Sequence, residues 1–308
     1  MKDRFQRHKD YIREHESDSK SLELFNAALD LFAESDGPNR VCPKRPKEVC
    51  LIGLLDLLVD ELKTYSSTLI SAVLSQSIKT TSDIEHLRPY YPEHIVNIVE
   101  AFYNIRKLKF GNLKGDAEEA RSLILSVAQD MRAVLLDIGI QVIRTRNFQD
   151  LKESSIRDQV FDLIEFVYIP TLHRLGFYQL KSELEDRVME YRYPDVYKSI
   201  QKKLDEGAEA RKKLIAEFTQ PIKKELDDHG MKYVIKSRTK SKNSIWTKMQ
   251  KQDIPFEKVF DLWAVRIIID SEPKNEKADC WHVYSVLTNI YTPNLNRLRD
   301  WITVPKET

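Results

Sequence analysis

The chain has 308 residues, enough at roughly 150 per domain for about two domains. Its 49 Lys and Arg stand against 48 Asp and Glu, a net charge of +1, which excludes a polyanion binder working through global charge but leaves a local basic patch open. A hydrophobic share of 42% excludes wholesale disorder, and eight glycines leave few tight turns and favour helices. The opening MKDRFQRHKDYIREH has no apolar run, so no signal peptide is expected. Leu22, Leu24, Phe25, Ala28, Leu29 and Phe32 recur at helical spacing, and Asp36-Gly37-Pro38-Asn39 ends that helix. Residues 46–62 predict a buried helix, apolar around its circumference; Asp56 and its short length exclude a membrane span. Cys42, Cys50 and Cys280 are too few and too scattered for a disulfide framework or a structural zinc site. Together these features predict a cytoplasmic protein without membrane contact. Further helices are predicted over 66–79, from Pro92 to about residue 108, over 116–144 as one helix or two, and over 160–174, 179–191 and 194–205, with a turn at 111–115.

Residues 198–229 are dense in Lys and Glu at helical spacing, with Gly207 and Pro221 expected to break or bend the run. They read as a solvated connector, and their balanced charge argues against a nucleic-acid contact, so no direct DNA binding is expected. The pattern then changes. Residues 232–237 alternate like a strand, 244–251 predict a short helix, and the β-branched run 264–269 predicts a strand buried on both faces. A helix over 279–290 and a strand over 299–304 complete the expectation. Two or three strands barely close a core, so this mixed α/β domain is expected to be cut short, with the natural protein continuing.

Arg238, Lys240, Lys242 and Lys248 fall within eleven residues. Several cations near a strand end and a helix start suit a polyphosphate. Asp261, thirteen residues beyond Lys248, is placed as a Mg²⁺ ligand, since Mg²⁺ prefers one or two carboxylates plus substrate phosphates. Arg266 interrupts an apolar strand, where it needs a partner or a stacking surface. Blander readings stand beside these: a solvated basic face, a turn-forming Asp, an Arg paired to a neighbouring helix.

Several motifs occur in order: Ser237-Arg238-Thr239-Lys240, Ser244-Ile245-Trp246-Thr247-Lys248-Met249, Asp261-Leu262-Trp263-Ala264-Val265-Arg266, Arg297-Leu298-Arg299-Asp300-Trp301-Ile302 and Pro305-Lys306. With them residues 232–306 resemble the start of the synthetase domain of the RelA/SpoT family, bacterial enzymes that make and break ppGpp in the stringent response. Upstream, Pro170-Thr171-Leu172-His173-Arg174-Leu175-Gly176 and Lys181-Ser182-Glu183-Leu184-Glu185-Asp186 resemble the segment joining that family's two catalytic domains. The resemblance implies pyrophosphate transfer from ATP to the 3′-hydroxyl of GTP or GDP. It implies ATP binding by Arg238 and Arg266, flanking the adenine, and by Lys240 and Lys248 on the triphosphate. Asp261 becomes the catalytic Mg²⁺ ligand, Lys306 falls on the phosphate or acceptor side, and a ribosome contact falls to regions beyond this chain. Ser237, Thr239 and Asn243 depart from the family's Gly, Pro and Tyr without removing charge. The family's guanine-stacking segment and second carboxylate are expected after Thr308, so this chain is expected to hold half a synthetase site and to be inactive alone.

The front half then resembles the family's HD-type hydrolase, whose manganese needs two His and two Asp. No His-Asp dipeptide occurs in the sequence. Alignment by helix pattern puts Ser75, Gln76 and Ile140 at ligand positions, Lys79 and Thr80 at an acidic pair, Arg144 at an Asn, and Arg45 before Pro46 where a His-Pro is expected. No Mn²⁺ is expected there. The resulting expectation is a mainly α chain: an all-helical, degenerate HD-like domain over 1–197, a charged connector over 198–230, and over 231–308 the beginning of an α+β nucleotidyltransferase-like synthetase domain. Its expected activity is that of a GTP pyrophosphokinase with hydrolysis lost. The alternatives are a regulatory, nucleotide-binding pseudo-hydrolase without catalysis of its own, and a self-standing interaction protein.

Overall fold

The structure, a computed structural model, describes residues 2–16, 19–35, 44–108, 110, 113, 115–151 and 153–304. It is mainly α and divides into two compact units, Met1–Arg192 and Tyr193–Thr308. The first unit is all-helical. Its elements are α1 (Gln6–His15), α2 (Lys20–Glu34), α3 (Lys47–Asp60), α4 (Ser66–Ser75), α5 (Thr81–Leu87), α6 (Glu93–Lys107), α7 (Ala117–Ala128), α8 (Met131–Arg146), α9 (Ser154–Leu163), α10 (Ile169–Arg174) and α11 (Tyr178–Arg192).

Helix α3 is the hydrophobic one read from 46–62, and it buries Cys50, Leu51, Leu54, Leu55, Leu57, Leu58 and Val59. Its one internal acid, Asp56, is paired by Arg7 Nη1 at 2.6 Å and His8 Nε2 at 3.0 Å. Those partners lie on α1, which the polar opening sequence gave no periodicity to predict, although Phe5 and Ile12 are fully buried. Helix α4 stops at Ser75 rather than at residue 79, because Thr80 and Asp83 form a capping box that starts α5. The stretch 116–144 resolves into two helices: Gln129 adopts φ 51° and Asp130 caps α8, accepting from Arg132 N at 2.9 Å. The expected turn at 111–115 falls largely outside the described residues, as does Asp36-Gly37-Pro38-Asn39.

Between α9 and α10 the helix widens to a π turn at Ile164–Tyr168. Pro170 has no N–H to offer the Phe166 carbonyl, four residues back, and Arg121 Nη1 donates to that oxygen at 2.7 Å instead. Gly139 on α8 lets α3 approach closely, since a Cβ there would lie 2.8 Å from Leu54 Cδ1.

The second unit holds α12 (Pro194–Glu206), α13 (Ala208–Asp228), β1 (Tyr233–Thr239), α14 (Lys242–Gln252), β2 (Trp263–Ile269) and α15 (Glu276–Ile290). Gly207 separates α12 from α13, but Pro221 lies inside α13 without ending it. Both helices of the charged stretch 198–230 belong to this unit, and α13 buries Ile222 and Leu226 completely against Val283 and Val286 of α15. That packing holds the helix through the proline.

Strands β1 and β2 pair antiparallel. Tyr233, Ile235, Ile267 and Ile269 pack on the α13–α15 cluster, whereas Val234 and Ile268 stay 55% and 40% exposed. The 264–269 strand is therefore buried on one face only, correcting the reading of a strand covered on both, and Arg266 is exposed. The strand expected over 299–304 is a turn: the Asp300 carboxylate accepts from Ile302 N at 3.1 Å and Thr303 N at 2.8 Å, so it takes local donors that a ladder would need. No helix among the described residues is long and apolar enough to cross a membrane.

Gly139→Val forces a branched side chain against Leu54 and Leu57, and such overpacking costs roughly 1–3 kcal/mol. Urea unfolding should show that loss in the first unit's transition; an unchanged midpoint would mean α3 and α8 are not in close contact at Gly139.

Candidate functional site

Directly opposite residues of an antiparallel pair point to the same face. The register Lys236↔Arg266 and Arg238↔Ala264 therefore gathers Val234, Lys236, Arg238, Ala264, Arg266 and Ile268 on the sheet face that the helices leave open. That face carries three guanidinium or ammonium groups between apolar side chains. Of the sequence-derived candidates, Arg238 and Arg266 meet here. Lys236, next to them, was missed, although its two-residue offset from Arg238 was the available signal.

Beyond β1 the ladder continues by one bond, Lys240 N to Leu262 O at 2.8 Å, which holds the residues before β2 beside Lys240. Ser241 caps α14, accepting from Ser244 N at 3.3 Å, and α14 carries Lys248 back toward that turn. Lys248 Nζ donates to Phe260 O at 2.9 Å and to Asp261 Oδ2 at 3.0 Å. Asp261 sits at φ 67°, in the left-handed region that Asp tolerates better than most residues. Its other oxygen accepts from Arg297 Nη1 at 3.3 Å. Arg297 is a second residue that sequence reasoning gave no role, because its loop placement carries no periodicity. Lys242 turns away, its ammonium 4.9 Å from the centre of the Tyr197 ring. Lys306 lies outside the described residues.

The Lys248 hydrogen bond, with the charges of Lys248, Arg297 and Lys240, holds the Asp261 carboxyl below the usual carboxylate range against the opposing effect of burial. A depressed folded-state value means that the pairing stabilises above the unfolded value and is lost as pH falls through the depressed one. With Asp261 58% exposed, that stabilisation is small. A single exposed carboxylate suits Mg²⁺ only where substrate phosphates complete the shell.

In the first unit the positions aligned with a hydrolytic metal centre carry other chemistry. Ser75 is buried and its hydroxyl donates to Ala72 O at 2.8 Å, while Gln76 Nε2 donates to Ser75 Oγ at 3.1 Å. Ile140 is core, Thr80 is a helix cap, and Arg45 pairs with Asp150 at 2.6 Å. Arg144 Nη1 reaches Gln141 Oε1 at 3.5 Å, and Lys79 is exposed. Asp137, one turn before Gln141, is buried and takes the Tyr168 hydroxyl rather than a metal; burial and the adjacent Asp137 push the Tyr168 phenol well up. Among the described residues no group of three His, Cys, Asp or Glu could hold a metal ion. This donor set does not suit manganese.

Lys248→Ala should let the Asp261 carboxyl titrate higher, toward the ordinary carboxylate range. Carbon-detected NMR of the aspartate carboxyls reads this directly, and an unmoved Asp261 titration would refute the pairing.

Two families match the chain. One, described as a region found in RelA/SpoT proteins, covers residues 237–308, and the other, an HD domain, covers 54–178. Among similar proteins, a guanosine-3′,5′-bis(diphosphate) 3′-pyrophosphohydrolase of Aquifex aeolicus is 29% identical over 252 residues, 81% of this chain and 35% of that protein. The bifunctional (p)ppGpp synthase/hydrolase SpoT of Escherichia coli is 28% identical over 81% of the chain and 35% of its own length. A GTP pyrophosphokinase of Myxococcus xanthus is 26% identical over 81% of the chain and 33% of its own length. The chain thus spans about a third of the length of these relatives. The chain is therefore similar, over an HD-domain match and a match to a region found in RelA/SpoT proteins, to proteins named for making or breaking ppGpp.

Proposed function

We propose that the second unit is the donor-nucleotide side of a pyrophosphate-transfer site, and that the whole protein moves pyrophosphate from ATP to the 3′-hydroxyl of GTP or GDP. The first unit, on this reading, hydrolyses nothing. The observation that carries the proposal is the open sheet face, where the register brings Arg238 and Arg266 together with Lys236, next to a turn where Lys248 and Arg297 converge on Asp261. A guanidinium stacks on a flat base and a row of cations neutralises a triphosphate. Lys240 and Lys248 stand where the phosphates would run from that face toward Asp261.

Mg²⁺ held by Asp261 and the substrate phosphates would spread the charge of the transferred group. The chain's own part is to fix where that charge sits. Lys248 anchors the Asp261 turn through the Phe260 carbonyl as well as the carboxylate, so the acid is oriented before any nucleotide arrives. A triphosphate would compete for Lys248 and Arg297, and the Asp261 carboxylate they hold is the group that would ligate the metal. The relatives carry names of both directions of ppGpp metabolism. Ser75, Gln76 and Ile140, which offer no carboxylate or imidazole, favour synthesis over hydrolysis here.

Two measurements test the proposal. Isothermal titration of the chain with Mg²⁺ and ATP should show Arg266→Ala binding roughly tenfold more weakly, the scale of a lost desolvated cation–π contact. In the longer protein Asp261→Asn should slow ppGpp synthesis by about 10²–10³-fold. Wild-type ATP affinity in the first variant, or near wild-type turnover in the second, would overturn the assignment. Incubation with Mn²⁺ and ppGpp should release no pyrophosphate above a no-enzyme control, and release would restore the hydrolase.

A further inference from the structure

We infer that the second unit carries a transition-metal site formed by His229, at the end of α13, and His282, on α15. The two imidazoles lie side by side, with ring centres 4.9 Å apart and planes crossing at 71°. Both side chains are exposed, so a cation reaches them from solvent. Neither residue belongs to the sheet, and the inference does not depend on the nucleotide reading.

A metal bound to an imidazole lies in the plane of the ring, so a metal shared by two rings lies on the line where their planes meet. Planes at 71° have such a line close by, whereas rings stacked in parallel do not. A metal about 2.1 Å from one nitrogen of each ring lies about 3.2 Å from each ring centre, and ligand angles of about 90–110° then separate the centres by about 4.5–5.2 Å. The observed separation of 4.9 Å falls inside that range.

Hydrogen bonding prepares one of the two ligands. His229 Nδ1 lies 2.7 Å from the Glu225 carbonyl oxygen. A carbonyl only accepts, so Nδ1 carries the proton of the neutral ring and Nε2 keeps its lone pair for a metal. Donation of the second ring nitrogen to a backbone carbonyl is the arrangement that orients ligating histidines. His282 makes no hydrogen bond or ion pair to any described residue, so its nitrogens are uncommitted. Packing fixes the backbone beneath both: Val283, next to His282, is buried with Ile222 and Leu226 of α13, and His229 N donates to the same Glu225 carbonyl at 3.1 Å.

Among the described residues no third His, Cys, Asp or Glu completes the set, so water fills the remaining positions. Two imidazoles suit Zn²⁺, Ni²⁺ or Cu²⁺, and they do not suit Mg²⁺, which takes oxygen ligands. A bound metal would tie the end of α13 to α15, the two helices on which the sheet rests.

The test is isothermal titration of the untagged whole chain with Ni²⁺ and with Zn²⁺, slightly above neutral pH. His229→Phe and His282→Phe each keep an aromatic ring at an exposed position and remove the ligand, and circular dichroism confirms that both variants are folded. The wild-type chain should bind either metal in the micromolar range, and each variant should bind at least about tenfold more weakly. Thermal melting gives a second readout, because a ligand held only by the folded state stabilises it. Zn²⁺ should raise the melting midpoint of the wild-type second unit and leave that of His282→Phe where it stands. Wild-type binding weaker than millimolar, an affinity that either Phe variant leaves unchanged, or a Zn²⁺-induced rise that survives His282→Phe overturns the inference.

Discussion

Burying one face of a two-stranded sheet fixes the parity of both strands, and the candidate site in the second unit follows from that parity. Tyr233, Ile235, Ile267 and Ile269 cover the cluster formed by α13 and α15. Because side chains alternate along a strand, a slip of one residue would send these four outward and bring Arg266 and Lys236 into an apolar cluster. The cost of burying unpaired cations thus enforces the register that puts Arg238, Lys236 and Arg266 on the open face. Packing energy in the core fixes where the charges stand on the surface.

The Asp261 turn depends on the same ladder. The bond from Lys240 N to Leu262 O carries the pairing one step past β1, so Lys240 and the residues before β2 are held side by side. Lys248 then closes the arrangement from α14 with two bonds, one to backbone and one to carboxylate. The Asp261 carboxylate is thus oriented by two cations, one from α14 and one from the loop at Arg297.

Much of this was legible in the sequence where periodicity is strong. The apolar run through Leu51, Leu54, Leu55 and Leu58 marked a buried helix, and the alternation of Tyr233 and Ile235 marked a strand. The order of Arg238, Lys248, Asp261 and Arg266 carried the family resemblance. What was not legible depends on contacts distant in sequence. Helix α1 is too polar to announce itself, and its role appears only when Arg7 and His8 meet Asp56. A run of β-branched residues cannot say whether both faces are covered, so Arg266 read as buried. The turn at Asp300 prevailed over an apparent strand through two local hydrogen bonds. Arg297 reaches Asp261 across 36 residues, a pairing that no spacing rule foretells.

In the first unit the positions that align with a hydrolytic centre are part of the helical frame itself. Ser75 and Ile140 are buried, and Lys79 and Arg144 are cations rather than carboxylates. Helices α3, α4, α6 and α8 are held by aliphatic packing that needs no metal.

The most direct test of the central claim is photo-crosslinking with an azido-adenine analogue of ATP in the presence of Mg²⁺, followed by peptide mapping. The account predicts label on the open face of the sheet, in peptides that span residues 234–238 and 264–268, and its loss on competition with ATP. Label confined to peptides of α13, α15 or the first unit would contradict it.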